Sequence, residues 1–99
     1  MVPGDRLVAP RGGFYWGGGQ RLELVRFAGA NRLKISFTYN GKQRIAEPYS
    51  LRRKKTDNLL LYAWEDGAPN IKAFNTAEMY DVQATDESFV PKFRVELTG

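Results

Sequence analysis

From Leu33 onward the chain alternates. Leu33, Ile35, Phe37 and Tyr39 are apolar or aromatic, and Lys34, Ser36, Thr38 and Asn40 between them are polar. A period of two is the signature of a half-buried strand. Asn40-Gly41 follows, two residues that tolerate positive φ, so a tight hairpin is expected there. Its second strand is expected through Arg44 to Leu51, with Pro48 marking an edge, a bulge or a bend because it has no N–H to donate. Lys54 to Asn58 reads as a polar turn. Leu59 to Trp64 is a continuous apolar run, read as a central strand buried on both faces. Asp66-Gly67 and Pro69 predict another turn. Ile71 to Asn75 and Met79 to Thr85 read as further strands, and Asp86-Glu87-Ser88 as a break. Phe93, Val95 and Leu97 alternate with Lys92, Arg94 and Glu96 in a last strand.

The region before Leu33 has a different rhythm. Over residues 20–31, Leu24, Phe27 and Ala28 recur at helical spacing, widened by Leu22 and Val25, and Glu23 can pair with Arg26 across one turn. This is the one helix the pattern predicts. Residues 1–19 contain Pro3, Pro10 and six glycines, and read as an irregular arm. Within it, Arg11-Gly12-Gly13 stands beside Phe14, Tyr15 and Trp16. Cation plus stacking rings is the chemistry of RNA-binding tails; the alternative is an arm whose rings fold back onto the domain. The organisation expected is therefore an arm over 1–19 and one mainly β domain over 20–99. Short strands at this spacing after one helix argue for a small barrel of about five strands.

Composition narrows the chemistry. The 99 residues contain no Cys and no His. That excludes disulfides, thiol catalysis, Cys/His zinc sites and the usual neutral-pH proton shuttle. No apolar run approaches the ~20 residues of a membrane span, and the first residues lack the apolar stretch of a signal peptide. A cytoplasmic location with no membrane partner is expected. No glycine-rich phosphate loop opens a helix: Gly17-Gly18-Gly19 lacks the lysine and serine of that motif. The carboxylates show no paired spacing. Neither an enzyme nor a bound cofactor or metal is expected.

The net charge is +4, and it is unevenly spread. Residues 42–55 carry Lys42, Arg44, Arg52, Arg53, Lys54 and Lys55 against Glu47, a balance of +5. Residues 65–87 carry Glu65, Asp66, Glu78, Asp81, Asp86 and Glu87 against Lys72, a balance of −5. A cationic hairpin of this kind attracts phosphates; it can equally serve only to solvate a turn.

Several segments together resemble the WYL-domain family. Arg44-Ile45-Ala46-Glu47-Pro48-Tyr49-Ser50-Leu51 is similar to its segment of arginine, two aliphatics, Glu-Pro-Tyr, a small residue and leucine. Leu59-Leu60-Leu61-Tyr62-Ala63-Trp64 lies where that family carries Trp-Tyr-Leu, Ile71-Lys72-Ala73-Phe74 resembles its arginine-x-phenylalanine strand, and Phe89-Val90-Pro91 its closing phenylalanine and proline. The likeness spans roughly residues 20–97. It implies an Sm-like (Src-homology-3-like) barrel with a preceding helix, acting as a regulatory domain of bacterial transcription factors or defence systems. It also implies binding of single-stranded nucleic acid or a nucleotide-derived anion by basic and aromatic side chains. The chain departs from the family pattern at Leu59 and Leu60, at Lys72 in place of an arginine, and at Glu78 where a second arginine is usual. No helix-turn-helix is legible, so the chain is not expected to be a complete transcription factor of the common kind.

The expected function is thus a non-catalytic ligand-sensing module. Arg44, Tyr49, Arg52, Arg53 and Lys72 are the candidate ligand residues, with Tyr49 offering a stacking face. Arg44 and Arg52 have the same strand parity and share a face unless a bulge intervenes. The alternative is a protein-interaction or homodimerisation barrel whose ligand site has decayed.

Overall fold

A computed structural model describes residues 18–55 and 58–97. The Arg-Gly-Gly-aromatic stretch of the arm lies outside them. Helix α1 (Gly18–Ala30) precedes five antiparallel strands: β1 (Leu33–Tyr39), β2 (Lys42–Arg53), β3 (Leu59–Glu65), β4 (Lys72–Asn75) and β5 (Tyr80–Ser88), with a 3-10 turn at Thr76–Glu78 between the last two. They form one sheet in the order β4-β3-β2-β1-β5. The hairpin at Asn40-Gly41 is as read from sequence: both residues have positive φ, +53° and +76°, and Tyr39 pairs with Lys42 across a two-residue loop.

The sheet is mainly β as expected, but it is open, since no ladder joins β4 to β5. The polar groups at that corner find other partners. Thr76 Oγ1 donates to the Leu59 carbonyl, Arg21 Nη1 to the Thr76 carbonyl, and the Ala77 N–H to Asn75 Oδ1. The sheet nevertheless curls. Phe74 of β4 meets Phe37 and Tyr39 of β1 edge-on, with centroids 5.1 and 4.9 Å apart, and the Asn75 N–H donates to Tyr39 Oη at 3.1 Å. The core lies inside this curl. Val25 and Ala28 of α1 pack with Ile35, Phe37, Ala46, Leu61, Ala63, Phe74, Met79, Val82 and Leu97.

Several expectations need correction. The helix starts at Gly18, so it takes the last two residues of the presumed arm. Its buried stripe runs through Val25, Ala28 and Gly29, while Phe27 is 44% exposed. β3 is not the central strand; β2 is. Nor is β3 fully buried on both faces: Leu61 and Ala63 are buried, and Leu60, Tyr62 and Trp64 on the outer face are half-buried. β5 does not break at Asp86-Glu87-Ser88 but continues to Ser88, which pairs with Leu33. Its acidic residues are tolerated because β5 is an edge strand and Lys34 gathers Glu87 and Asp66 at 2.9 and 3.1 Å. Those hydrogen bonds, to Glu87 first, raise the Lys34 pKa. Finally, Phe93 to Leu97 is not a strand. Its one bridge pairs Glu96 with Ser50 in parallel.

Leu61 is fully buried, opposite Leu51 and Phe74. Truncating such a leucine leaves a cavity the core cannot fill, so Leu61→Ala should cost about 2–5 kcal/mol. In a domain of this size that lowers Tm by at least about 8 °C, measured by thermal unfolding; a change of only a degree or two would contradict the core assignment.

Candidate functional site

Pro48 of β2 pairs with Ala63, but Ser50 pairs with Tyr62, so Tyr49 has no opposite number on β3. This is a β-bulge, and it is where a proline can sit inside a central strand. The bulge frees the Tyr49 backbone from the ladder, and its carbonyl accepts the Glu96 N–H at 2.7 Å. The bulge also turns the tyrosine ring outward and down. There its hydroxyl donates to Glu47 Oε1 at 2.6 Å and accepts the Lys92 N–H at 2.9 Å. Lys92 Nζ grips both oxygens of Glu47, at 3.0 and 2.9 Å, and stands 5.0 Å from the centre of the Trp64 ring. Phe93 stacks on Trp64 and meets Tyr49 edge-on. The irregular segment 89–97 is thereby strapped across the outer face of the sheet. Glu47 is only 7% exposed; a carboxylate so placed needs these partners.

Burial, and after it the bond to Glu47, pushes the Tyr49 pKa up to about 12. The protonated hydroxyl is the form that donates to Glu47, and a phenolate there would face a carboxylate.

Between the strap and the sheet runs an open groove of about 430 Å³. Ser50, Arg52, Tyr62 and Ile71 line its sheet side, and Phe93, Arg94 and Glu96 its strap side, with Tyr49 at its base. Arg52 pairs with Glu96 at 3.0 Å, both well exposed. Arg94 and the Tyr62 hydroxyl have no partner among the described residues. The groove therefore holds two guanidinium groups, one carboxylate, one uncommitted phenol and two rings.

The sequence candidates divide between two places. Arg44 lies opposite Phe37 and so on the inner face of the sheet, whereas Arg52 alternates with core-facing Leu51 and points outward. The bulge between them has reversed the parity, so they do not share a face. Lys72 does join Arg44: both donate to Glu65 Oε1 at 3.1 Å. Arg44 also donates to the Tyr39 carbonyl and sits 5.8 Å over that ring, while its Nε is buried without a partner. Arg53 continues β2 opposite Leu59, on the inner face with Leu51. Tyr49 lies at the groove, but it cannot offer an open stacking face. Its ring is 2% exposed and enclosed edge-on by Phe89 and Phe93. The residues the sequence reading missed are Tyr62, Phe93 and Arg94 in the groove and Lys92 behind it. Alternation puts Phe93 on one face of a last strand with Val95 and Leu97; in the strap it instead packs on Tyr49 and Trp64 while Leu97 enters the core.

Among the described residues no group of acidic side chains is arranged to hold a metal, and no helix is long and apolar enough to cross a membrane. In comparisons with known proteins, no family model matches the chain and no curated protein matches its sequence.

The raised Tyr49 pKa sets an alkaline limit. The folded state keeps a proton that the unfolded chain loses above pH 10, so stability is complete below pH 10 and declines as pH rises toward 12. At about 1.4 kcal/mol per unit, the two units between pH 10 and about 12 bound the loss at about 3 kcal/mol. Absorbance titration at 295 nm should show one tyrosine ionising near pH 12, absent in Tyr49→Phe. Ionisation of every tyrosine near pH 10 would refute the buried bond.

Proposed function

We propose that this is a non-catalytic ligand-sensing module of the WYL type, an Sm-like barrel in plan, and that its ligand is nucleotide-like: a base with a phosphate. The strand order with a helix ahead of β1, and edge strands joined by one 3-10 turn, supports the barrel reading. The observation that carries the ligand reading is the groove, which sets Arg52 and Arg94 against Tyr62 and Phe93 in one open space. Guanidinium groups match phosphate oxygens in bidentate geometry. An exposed ring face stacks a base, worth about 1–3 kcal/mol. The volume falls at the low end of the roughly 300–1,000 Å³ typical of ligand sites, which suits one nucleotide unit. The Arg44 and Lys72 pair is a poorer phosphate site because Glu65 already occupies both.

A second reading, protein docking, has its own observation: Val90 is 86% exposed on the strap, and Phe93 near it is half-exposed. Salt separates the two readings. Phosphate binding weakens with ionic strength, by a log–log slope of about −0.7 per phosphate neutralised on a single strand; an apolar interface does not.

Fluorescence anisotropy of a labelled mixed-sequence single-stranded oligonucleotide, with adenosine monophosphate as competitor, should give salt-sensitive binding. Arg94→Ala and Arg52→Ala should each weaken it by about 1–3 kcal/mol, and Lys72→Ala should leave it unchanged. Loss in Lys72→Ala with retention in Arg94→Ala would move the site to the inner face. No binding by the parent would leave the docking reading in front.

A further inference from the structure

The groove has two walls of different kinds. Arg52 and Tyr62 stand on ladder-bonded strands, whereas Phe93 and Arg94 stand on a strap with one isolated bridge to the sheet. Two backbone bonds, from the Phe89 N–H to the Arg32 carbonyl and from the Glu96 N–H to the Tyr49 carbonyl, hold the strap together with side chains: the Glu47–Lys92 ion pair, the Tyr49 hydroxyl, the Trp64–Phe93 stack and the exposed Arg52–Glu96 pair. Its far end is not loose. Leu97 is buried beneath α1, so close to Gly29 that a β-carbon there would lie 2.6 Å from Leu97 Cδ1. Leu97 cannot shift toward the helix without displacing it.

Resting on the groove reading above, we propose that ligand binding and docking of the 89–97 strap are one coupled equilibrium, transmitted to helix α1 through the Leu97–Gly29 contact. A nucleotide spanning the groove touches both walls. It therefore binds the docked strap more tightly than the undocked one, and shifts the population toward docking. Its phosphate competes with Glu96 for Arg52, so that pair is exchanged for a bridge from sheet to strap. Linkage is reciprocal: by whatever factor the ligand favours docking, docking strengthens the ligand by the same factor.

Two variants test this without touching a groove residue. Gly29→Ala drives a methyl group into Leu97. The double variant E47Q/K92M removes the strap's ion pair while leaving no unpaired charge. Each should weaken adenosine monophosphate, or the single-stranded oligonucleotide, by about fivefold or more, the lower end of ordinary couplings. Hydrogen exchange by mass spectrometry on the parent should show that ligand slows exchange over 89–97 and over the last turn of α1. Circular dichroism confirms that each variant is folded, and if Gly29→Ala is not, E47Q/K92M and the exchange measurement decide. Parent-like affinity in a folded variant, or unchanged exchange in the strap of the liganded parent, would overturn the coupling and leave the groove as the site. Failure of the parent to bind either probe would overturn the groove reading and the coupling with it.

Discussion

The carboxylate of Glu47 is taken out of water on the outer face of the sheet, and much of the molecule is arranged around meeting that demand. Moving an ion of this kind into a protein interior costs several kcal/mol unless opposite charge and hydrogen bonds replace its water. Tyr49 supplies one bond, and it can do so because a bulge at its own position turns the ring toward the carboxylate. Lys92 supplies the charge. Lys92 comes from the irregular end of the chain, so satisfying Glu47 and fastening the strap are the same event. Tyr49 then ties the strap twice more, through its hydroxyl to the Lys92 N–H and through its carbonyl to the Glu96 N–H. The groove exists because the strap is held there.

The same bulge explains why the cations lie as they do. Without the extra residue, Arg44 and Arg52 would share one face of β2. With it, Arg44 turns inward to the open end of the core, where Glu65 and the Tyr39 ring receive it and draw Lys72 to the same carboxylate. Arg52 turns outward beside Arg94. A cluster that counts as one basic patch along the chain is thus two sites of different character. The inner one is half-buried, and both of its cations are already engaged by Glu65. The outer one is exposed, held only by a surface ion pair of the kind worth about 0–1 kcal/mol, and bordered by rings.

Local signals were legible in the sequence, and non-local ones were not. The period of β1 and the Asn40-Gly41 turn depend on neighbouring residues alone, and both are found. Pro48 announced an irregularity, but its consequence, the reversal of parity between Arg44 and Arg52, needed the register against β3. Alternation at Phe93, Val95 and Leu97 suggested a strand, yet Pro91 and the pull of Glu47 on Lys92 bring that segment across the face as a strap. In α1 the apolar stripe was read one step away from its buried line, because Gly29, which has no side chain to mark it, is where Leu97 packs. Tyr49 is legible as a candidate, but its buried ring forms part of the groove wall, and Tyr62 beside it is half-buried with no partner for its hydroxyl among the described residues. Arg94 carried no local signal at all beyond its charge.

The most direct test of the account is a residue-resolved nuclear magnetic resonance titration of the ¹⁵N-labelled protein with adenosine monophosphate at low salt. Saturable shifts centred on Arg52, Tyr62, Phe93 and Arg94 are expected, with the Lys92 amide moving as the strap tightens. Shifts confined to Arg44, Glu65 and Lys72, or none at millimolar ligand, would contradict it.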